Sequence, residues 1–277
     1  MSIALDHAGI LVPRLEKAAA LLARLGFTLT ARAEHRAADG ASAGSAQCSI
    51  MLETGYVEVQ EIAELATSAH LLAAAARRNF GLHTLAFDVQ DAEAARQAVA
   101  ASGLSVTPVM HWARRVEEPD IAAEARFAFF VAAYDAKDEA LLCWVQHLTP
   151  EALRSPRLLR HANGARALRS VIIATSGDPS TLVARYVAAG GANGEGAVRF
   201  GDGLVEIRRQ DALPSCLHRD WPADAWFAAL RIAFADPALF ADAAQREGFD
   251  ARPWDGAIAV DLRRALGCVI VAEQAPG

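Results

Sequence analysis

The chain is predicted to have an α+β fold built from four copies of a βαβββ module. Three observations carry this reading. A short apolar run with strand-like alternation opens each copy: it holds His7 in LDHAGILV and His83 in GLHTLAFDV, and it returns as RSVIIAT and RIAFA. A helix bounded by a start signal and a closing glycine follows each run. Each copy then ends in further strands, so the same order recurs four times through 277 residues.

In the first module, Leu15, Ala18, Ala19, Leu22 and Leu25 form an apolar stripe at helical spacing, and Gly26 stands where a left-handed cap closes a helix. The strand pair in SIMLETGYVEVQEI turns at Gly55, with Glu58 three residues beyond. Residues two apart on a strand share a face, which groups Leu5, His7, Gly9 and Leu11 in the first strand and Tyr56, Glu58 and Gln60 in the last. LATSAHLLAAAARRN (65–79) reads as a helical bridge. In the second module, Asp88 or Asp91 starts a helix that Gly103 ends. The segment 110–130 reads as a hairpin with its tip near Glu117 to Asp120, and opposite parity lets only one of Arg114 and Arg115 face inward. ALLCWVQHL closes the module as a strand buried on both faces.

The prolines and the Asn163-Gly164 pair in 150–167 mark the boundary between halves. The third helix runs from Asp178 and Pro179 to Gly190, and the fourth from Asp236 and Pro237 to Gly248. AVRFGDGLVEIRRQ ends the third module as the first one ends, with Glu206 three residues after Gly203. LGCVIVAEQ ends the fourth as the second one ends.

A formal net charge of −6 without a basic cluster argues against nucleic acid as a partner. Cys48, Cys143, Cys216 and Cys268 are far apart and form no CxxC, so they read as buried thiols of a reducing, cytoplasmic compartment. Neither a signal peptide nor a membrane span is indicated.

The βαβββ repeat with a first-strand His and a last-strand Glu resembles the vicinal oxygen chelate superfamily. LDHAGILV, Leu25-Gly26-Phe27, the run from His35 to GSAQC (44–48), TGYVEV, and QHLTPE followed by HANGA are similar to its glyoxalase-like members with tandem domains. The resemblance implies paired modules whose sheets curve into cups. The first domain would span 1–149, from modules 1–64 and 79–149; 150–165 would be a linker, and 166–277 a second, degenerate cup. It also implies a divalent metal (zinc, nickel, iron or manganese) on the floor of the first cup, held by His7, Glu58 and His83. Aligning CWVQHL under GYVEVQ sets Gln146 opposite Glu58 as the fourth ligand and Trp144 opposite Tyr56; a one-residue slip would offer His147 instead. Glu58 and Gln146 would then act in catalysis, with His35, Arg114, Trp144 and His147 around the substrate and Arg114 as an anion clamp.

A His in an apolar strand is also an ordinary core residue, and GSAQC an ordinary turn. In the second half Ser170 replaces His7, an aliphatic stretch or Arg231 replaces His83, and only Glu206 survives, so that half reads as a structural partner or a lid. The function implied is a metal-dependent glyoxalase-like enzyme of the lyase or isomerase type, acting on a small molecule with vicinal oxygens. Iron-dependent ring cleavage and non-catalytic small-molecule binding are the alternatives. Expected partners are the small-molecule substrate and a second copy of the chain in a homodimer, with no nucleic acid and no membrane.

Overall fold

The computed structural model describes residues 2–37, 39–68, 70–135, 138–214, 217 and 224–276. The four βαβββ modules are present. The first is β1 (Ile3–Leu11), α1 (Leu15–Arg24), β2 (Ala33–Ala37), β3 (Ser42–Met51) and β4 (Tyr56–Ile62). A short α2 (Ala73–Arg78), about half of the predicted bridge, leads to β5 (Gly81–Val89), α3 (Ala92–Ala101), β6 (Met110–Glu118), β7 (Ile121–Val131) and β8 (Leu141–His147). The third module is β9 (Ala165–Thr175), α4 (Pro179–Ala188), β10 (Ala192–Gly194), β11 (Ala197–Phe200) and β12 (Gly203–Arg209). The fourth is β13 (Ala225–Phe234), α5 (Pro237–Arg246), β14 (Ala251–Trp254), β15 (Ala257–Asp261), the single turn α6 (Arg263–Leu266) and β16 (Val269–Gln274).

Local chemistry explains the repeated helix. Asp91, Asp178 and Asp236 each accept a hydrogen bond from a first-turn backbone N–H, at 3.0, 2.9 and 3.0 Å, which satisfies donors that a helix cannot pair internally. Gly26, at φ +87°, ends α1 so close to Asn163 that a Cβ there would stand 2.9 Å from that residue's backbone nitrogen.

Modules one and two close into an eight-stranded barrel in the order β1-β4-β3-β2-β6-β7-β8-β5, whereas three and four form an open eight-stranded sheet, β10-β11-β12-β9-β13-β16-β15-β14. One continuous core joins them. It takes the stripe of α1, the outward side chains of β1 and β5, and Val171, Ile173, Val205 and Phe234 of the second half. Phe87 stacks on Phe200 with centroids 4.1 Å apart. Trp144, fully buried, stacks on Phe130 and donates Nε1–H to the Ala189 carbonyl at 3.0 Å. Trp144 is therefore a wall between the halves and not the substrate contact expected of it.

Register decides which side chains enter the barrel. In β1 and β4, His7 pairs with Tyr56 and Gly9 with Glu58; in β5 and β8, Thr84 pairs with Leu141 and Ala86 with Cys143. Between β1 and β5, His7 pairs with Ala86 and Gly9 with Thr84. A pseudo-twofold that exchanges the modules thus puts Thr84 where His7 stands and Cys143 where Glu58 stands. A register break between Leu5 and His7 turns Leu5 outward into the shared core, so it does not share a side with His7 as strict alternation predicts. The residue at that break is Asp6.

In the second half the acid at the matching position is fully engaged. Ser170 donates to Glu206 at 2.5 Å, and Arg231 and Arg208 hold the two carboxylate oxygens at 3.0 and 2.9 Å. Among the described residues no group of three ligand-type side chains gathers around Glu206. No helix among the described residues is long and apolar enough to cross a membrane.

Candidate functional site

The barrel encloses a cup of about 100 Å³ whose polar lining comes mostly from module one. His7 and Tyr56 stack at 4.3 Å, and Glu58 and Gln60 follow on the same face of β4. His35 from β2 reaches in as expected: its Nε2 lies 3.3 Å from Glu58 Oε1 and its Nδ1 3.0 Å from Ser45 Oγ. The opposite wall is Trp112, Arg114, Phe127 and Phe129 from the β6–β7 hairpin. Arg114 is the inward member of its pair, 5% exposed, while Arg115 is exposed and pairs with Glu117 on the surface.

Electrostatics separate the groups. Burial alone would raise the Glu58 carboxyl, but His35, His7 and Arg114 outweigh it and hold the pKa at about 2, so Glu58 is an anion. Burial likewise opposes ionisation of Asp6, yet hydrogen bonds and charge from His147 and His7 keep it far below the usual carboxylate range. Asp6 Oδ2 lies 2.6 Å from His7 Nδ1, and both its oxygens lie 3.1 Å from His147 Nε2. An ionised carboxylate only accepts, so His7 donates from Nδ1 and its Nε2 lone pair is left for the cup. Arg114 differs: burial pushes its pKa down against the opposing influence of Tyr56, Glu58 and Glu118, and no hydrogen bond or ion pair holds its guanidinium among the described residues. Its near contact is the Phe127 ring, 5.9 Å from Cζ.

Of the expected metal ligands, the structure brings only His7 and Glu58 into the cup. His83 is 1% exposed and faces away, its Nε2 2.8 Å from the Asn79 carbonyl oxygen, because it shares parity with Leu85 and Phe87 of the outer core. Gln146 also faces away, since Leu141, Cys143 and Val145 are the β8 residues that line the cup. Its Oε1 accepts from Ala92 N at 3.1 Å and so caps α3. His147 opens on a second cavity behind the cup with Asp6, Asp88 and Arg154. Asp6, Asp88 and His147 present ligand-type atoms within 4.8 Å of one another, whereas the cup holds no such triple among the described residues.

The cup thus does not fit the four-ligand set. Thr84 offers a hydroxyl, and burial pushes the Cys143 thiol far up, so neither replaces an imidazole and a carboxylate. Restoring the set should restore the property: the double variant Thr84→His, Cys143→Glu is expected to gain about one divalent transition ion per chain over the unaltered protein. Elemental analysis after dialysis against a zinc or manganese buffer reads this, and an unchanged metal content would refute the register argument.

Asp6 and His70 were not singled out by the sequence reading. Asp6 emerges only through the β1 bulge, which one sequence does not announce. His70 sits in a segment read as helix, but the chain there is non-helical and hangs over the cup.

A family model for a glyoxalase-like domain matches residues 5–190. No curated protein matches the chain in sequence. Among solved structures, a hypothetical protein from Staphylococcus aureus is similar over 99% of this chain and 100% of its own, with a TM-score of 0.66 at 10% identity. A mutant of 4-hydroxymandelate synthase from Streptomyces coelicolor covers 100% of this chain and 95% of its own, with a TM-score of 0.61 at 14% identity. A fusion of a xylose isomerase-like TIM barrel with 4-hydroxyphenylpyruvate dioxygenase covers 99% of this chain over 50% of its own, with a TM-score of 0.57 at 12% identity. These likenesses are of fold: the vicinal oxygen chelate arrangement of tandem βαβββ modules.

Proposed function

The chain belongs to the glyoxalase-like domain family, and from that premise we propose that it is a small-molecule enzyme of the lyase or isomerase type whose substrate is a small carboxylate with a neighbouring oxygen. The observation that carries the proposal is Arg114, a buried cation in an aromatic-walled cup with no counter-ion in contact. A buried guanidinium with no carboxylate in contact is costly, and a bound carboxylate supplies that contact through paired, charge-assisted hydrogen bonds.

His7 is the base in this reading. Asp6 fixes its tautomer and orientation, as a buried carboxylate does for a catalytic imidazole, and stabilises the imidazolium once a proton arrives. The proton leaves the carbon beside the substrate carbonyl and moves to His7 Nε2. The C–H electron pair becomes the enolate, whose charge lies beside Arg114. Return of the proton to the carbon skeleton, or departure of a leaving group, completes an isomerisation or an elimination. Glu58, an anion tied to His35, keeps the ligand's negative end on the Arg114 side of the cup. Metal-assisted and ring-cleaving versions of this chemistry need the ligand set that Thr84 and Cys143 interrupt, so the cationic role falls to Arg114.

Non-catalytic binding is the second reading, favoured by those same two replacements. The test is exchange of α-protons for deuterium in a panel of short 2-oxo acids, followed by NMR. The expected result is exchange in at least one member. It should fall on the order of a hundredfold or more in His7→Gln, while binding of the same acid stays within about threefold. Binding without exchange would sink the catalytic claim and leave a binding protein.

A further inference from the structure

We infer that His70 is a second recognition group of the cup, a neutral imidazole whose Nε2–H is set to donate to an oxygen of the ligand adjacent to its carboxylate. The inference rests on the reading that Arg114 takes a carboxylate, and it adds the specificity for the second oxygen.

The tautomer follows from one contact. The backbone N–H of Leu72 donates to His70 Nδ1 at 3.2 Å, so Nδ1 carries a lone pair and the proton is on Nε2. That Nε2 is buried and meets no hydrogen-bond partner among the described residues. A buried N–H without an acceptor forgoes hydration and gains nothing for it, which native structures rarely tolerate without a reason. Here the residue lines the cup, with the Trp112 ring 6.2 Å away and Leu71 and Leu72 beside it, so the unpaired donor belongs to the cup wall and a small turn of the ring brings it to a ligand.

The ring is held in place by its own segment. His70 N donates to Ser68 Oγ at 3.1 Å, and Arg77 from α2 donates to the Leu65 carbonyl at 2.7 Å. The charged and titratable groups that act on it are His35 and Glu58. Burial, helped by His35 and opposed by Glu58, lowers its pKa to about 4, so it is a neutral donor at neutral pH. The other imidazoles of the cup are committed: His35 to Glu58 and Ser45, His7 through Nδ1 to Asp6. Arg114 and His70 are therefore two donors of the cup without a hydrogen-bond partner among the described residues, one charged and one neutral. Together they match a carboxylate next to a carbonyl. A site built to hydrogen-bond an oxygen rejects the analogue that lacks it, because its own donor is then left unpaired.

The test uses the whole chain and a matched pair of probes, 2-oxobutanoate and butanoate, titrated by calorimetry. The unaltered protein should prefer the oxo acid by roughly ten- to a hundredfold. His70→Phe, which keeps an aromatic ring but no donor, should bring the two acids within about threefold of each other without weakening butanoate. His70→Gln, which keeps an N–H, should retain part of the preference. Imidazole ¹⁵N NMR should find His70 as the Nε2–H tautomer, with that proton shifting on addition of the oxo acid and not of butanoate. A preference that survives in His70→Phe, or an Nδ1–H tautomer, overturns the assignment. Failure of the Arg114 reading looks different: neither acid binds, or Arg114→Met leaves both unaffected. In that case the NMR tautomer still decides for or against His70.

Discussion

Arg114→Met is expected to produce two opposite effects in one variant. Binding of small carboxylates should weaken by about a hundredfold or more, the usual consequence of removing one partner of a desolvated charge pair. The ligand-free protein should become more stable by roughly 1–4 kcal/mol, because a flexible apolar chain replaces a buried guanidinium with no contacting anion. Methionine suits the site, whose walls are Trp112, Phe127, Phe129 and Val131. Thermal unfolding with and without 2-oxobutanoate measures both effects. A stabilised variant that still binds would mean that the anion sits elsewhere. A destabilised one would mean that Arg114 serves the fold, and stability would not be sacrificed there for function.

Asp6→Asn should have the largest effect on the fold. One buried carboxylate serves two imidazoles, so its loss should cost about 3–5 kcal/mol and leave His147 without its counter-charge. The pH profile carries a signature. Asp6 is depressed below its ordinary 3.8, so its contribution is complete above that value and is lost as pH falls toward the folded pKa. At His147 burial acts downward, but Asp6 outweighs it and raises the pKa above 6.5. That contribution is complete below 6.5 and fades as pH rises through the raised value. The unaltered chain should therefore lose stability at both limits, and Asp6→Asn should flatten both limbs of a urea-denaturation series taken from pH 3 to pH 9. An Asn variant whose profile runs parallel to the unaltered one would disprove the coupling.

The fold was legible because its signals are local and repeated. Three helices announce themselves by Asp caps and all four by closing glycines, and parity showed that only one of Arg114 and Arg115 could face inward, the family resemblance pointing to Arg114. His7, Glu58 and His35 also reach the cup as the sequence suggests. His83 and Gln146 do not, and the reason is register. Matching LDH to GLH pairs His7 with His83, one residue away from the structural equivalent Thr84. Matching Tyr56 to Trp144 shifts β8 by three from the structural match of Tyr56 with Leu141. Odd slips invert the face of every residue in a strand. The large apolar residues Leu85, Phe87 and Val89 mark the outer face of β5 and include His83 in their parity, a signal that the eye for repeated histidines passes over. The break at Asp6 has no counterpart in composition or period.

The shared core described above divides labour along each barrel strand. Outward residues such as Phe87 and Trp144 are bound to the second half, where every volume change is felt. Inward residues face a cup and hold up nothing beyond it. Alternation therefore lets one polymer keep a fixed exterior whatever its interior chemistry, and the module that has Thr84 and Cys143 where the other has His7 and Glu58 is still a complete wall. The second half, packed against those outward residues, supplies the surface on which that exterior is fixed.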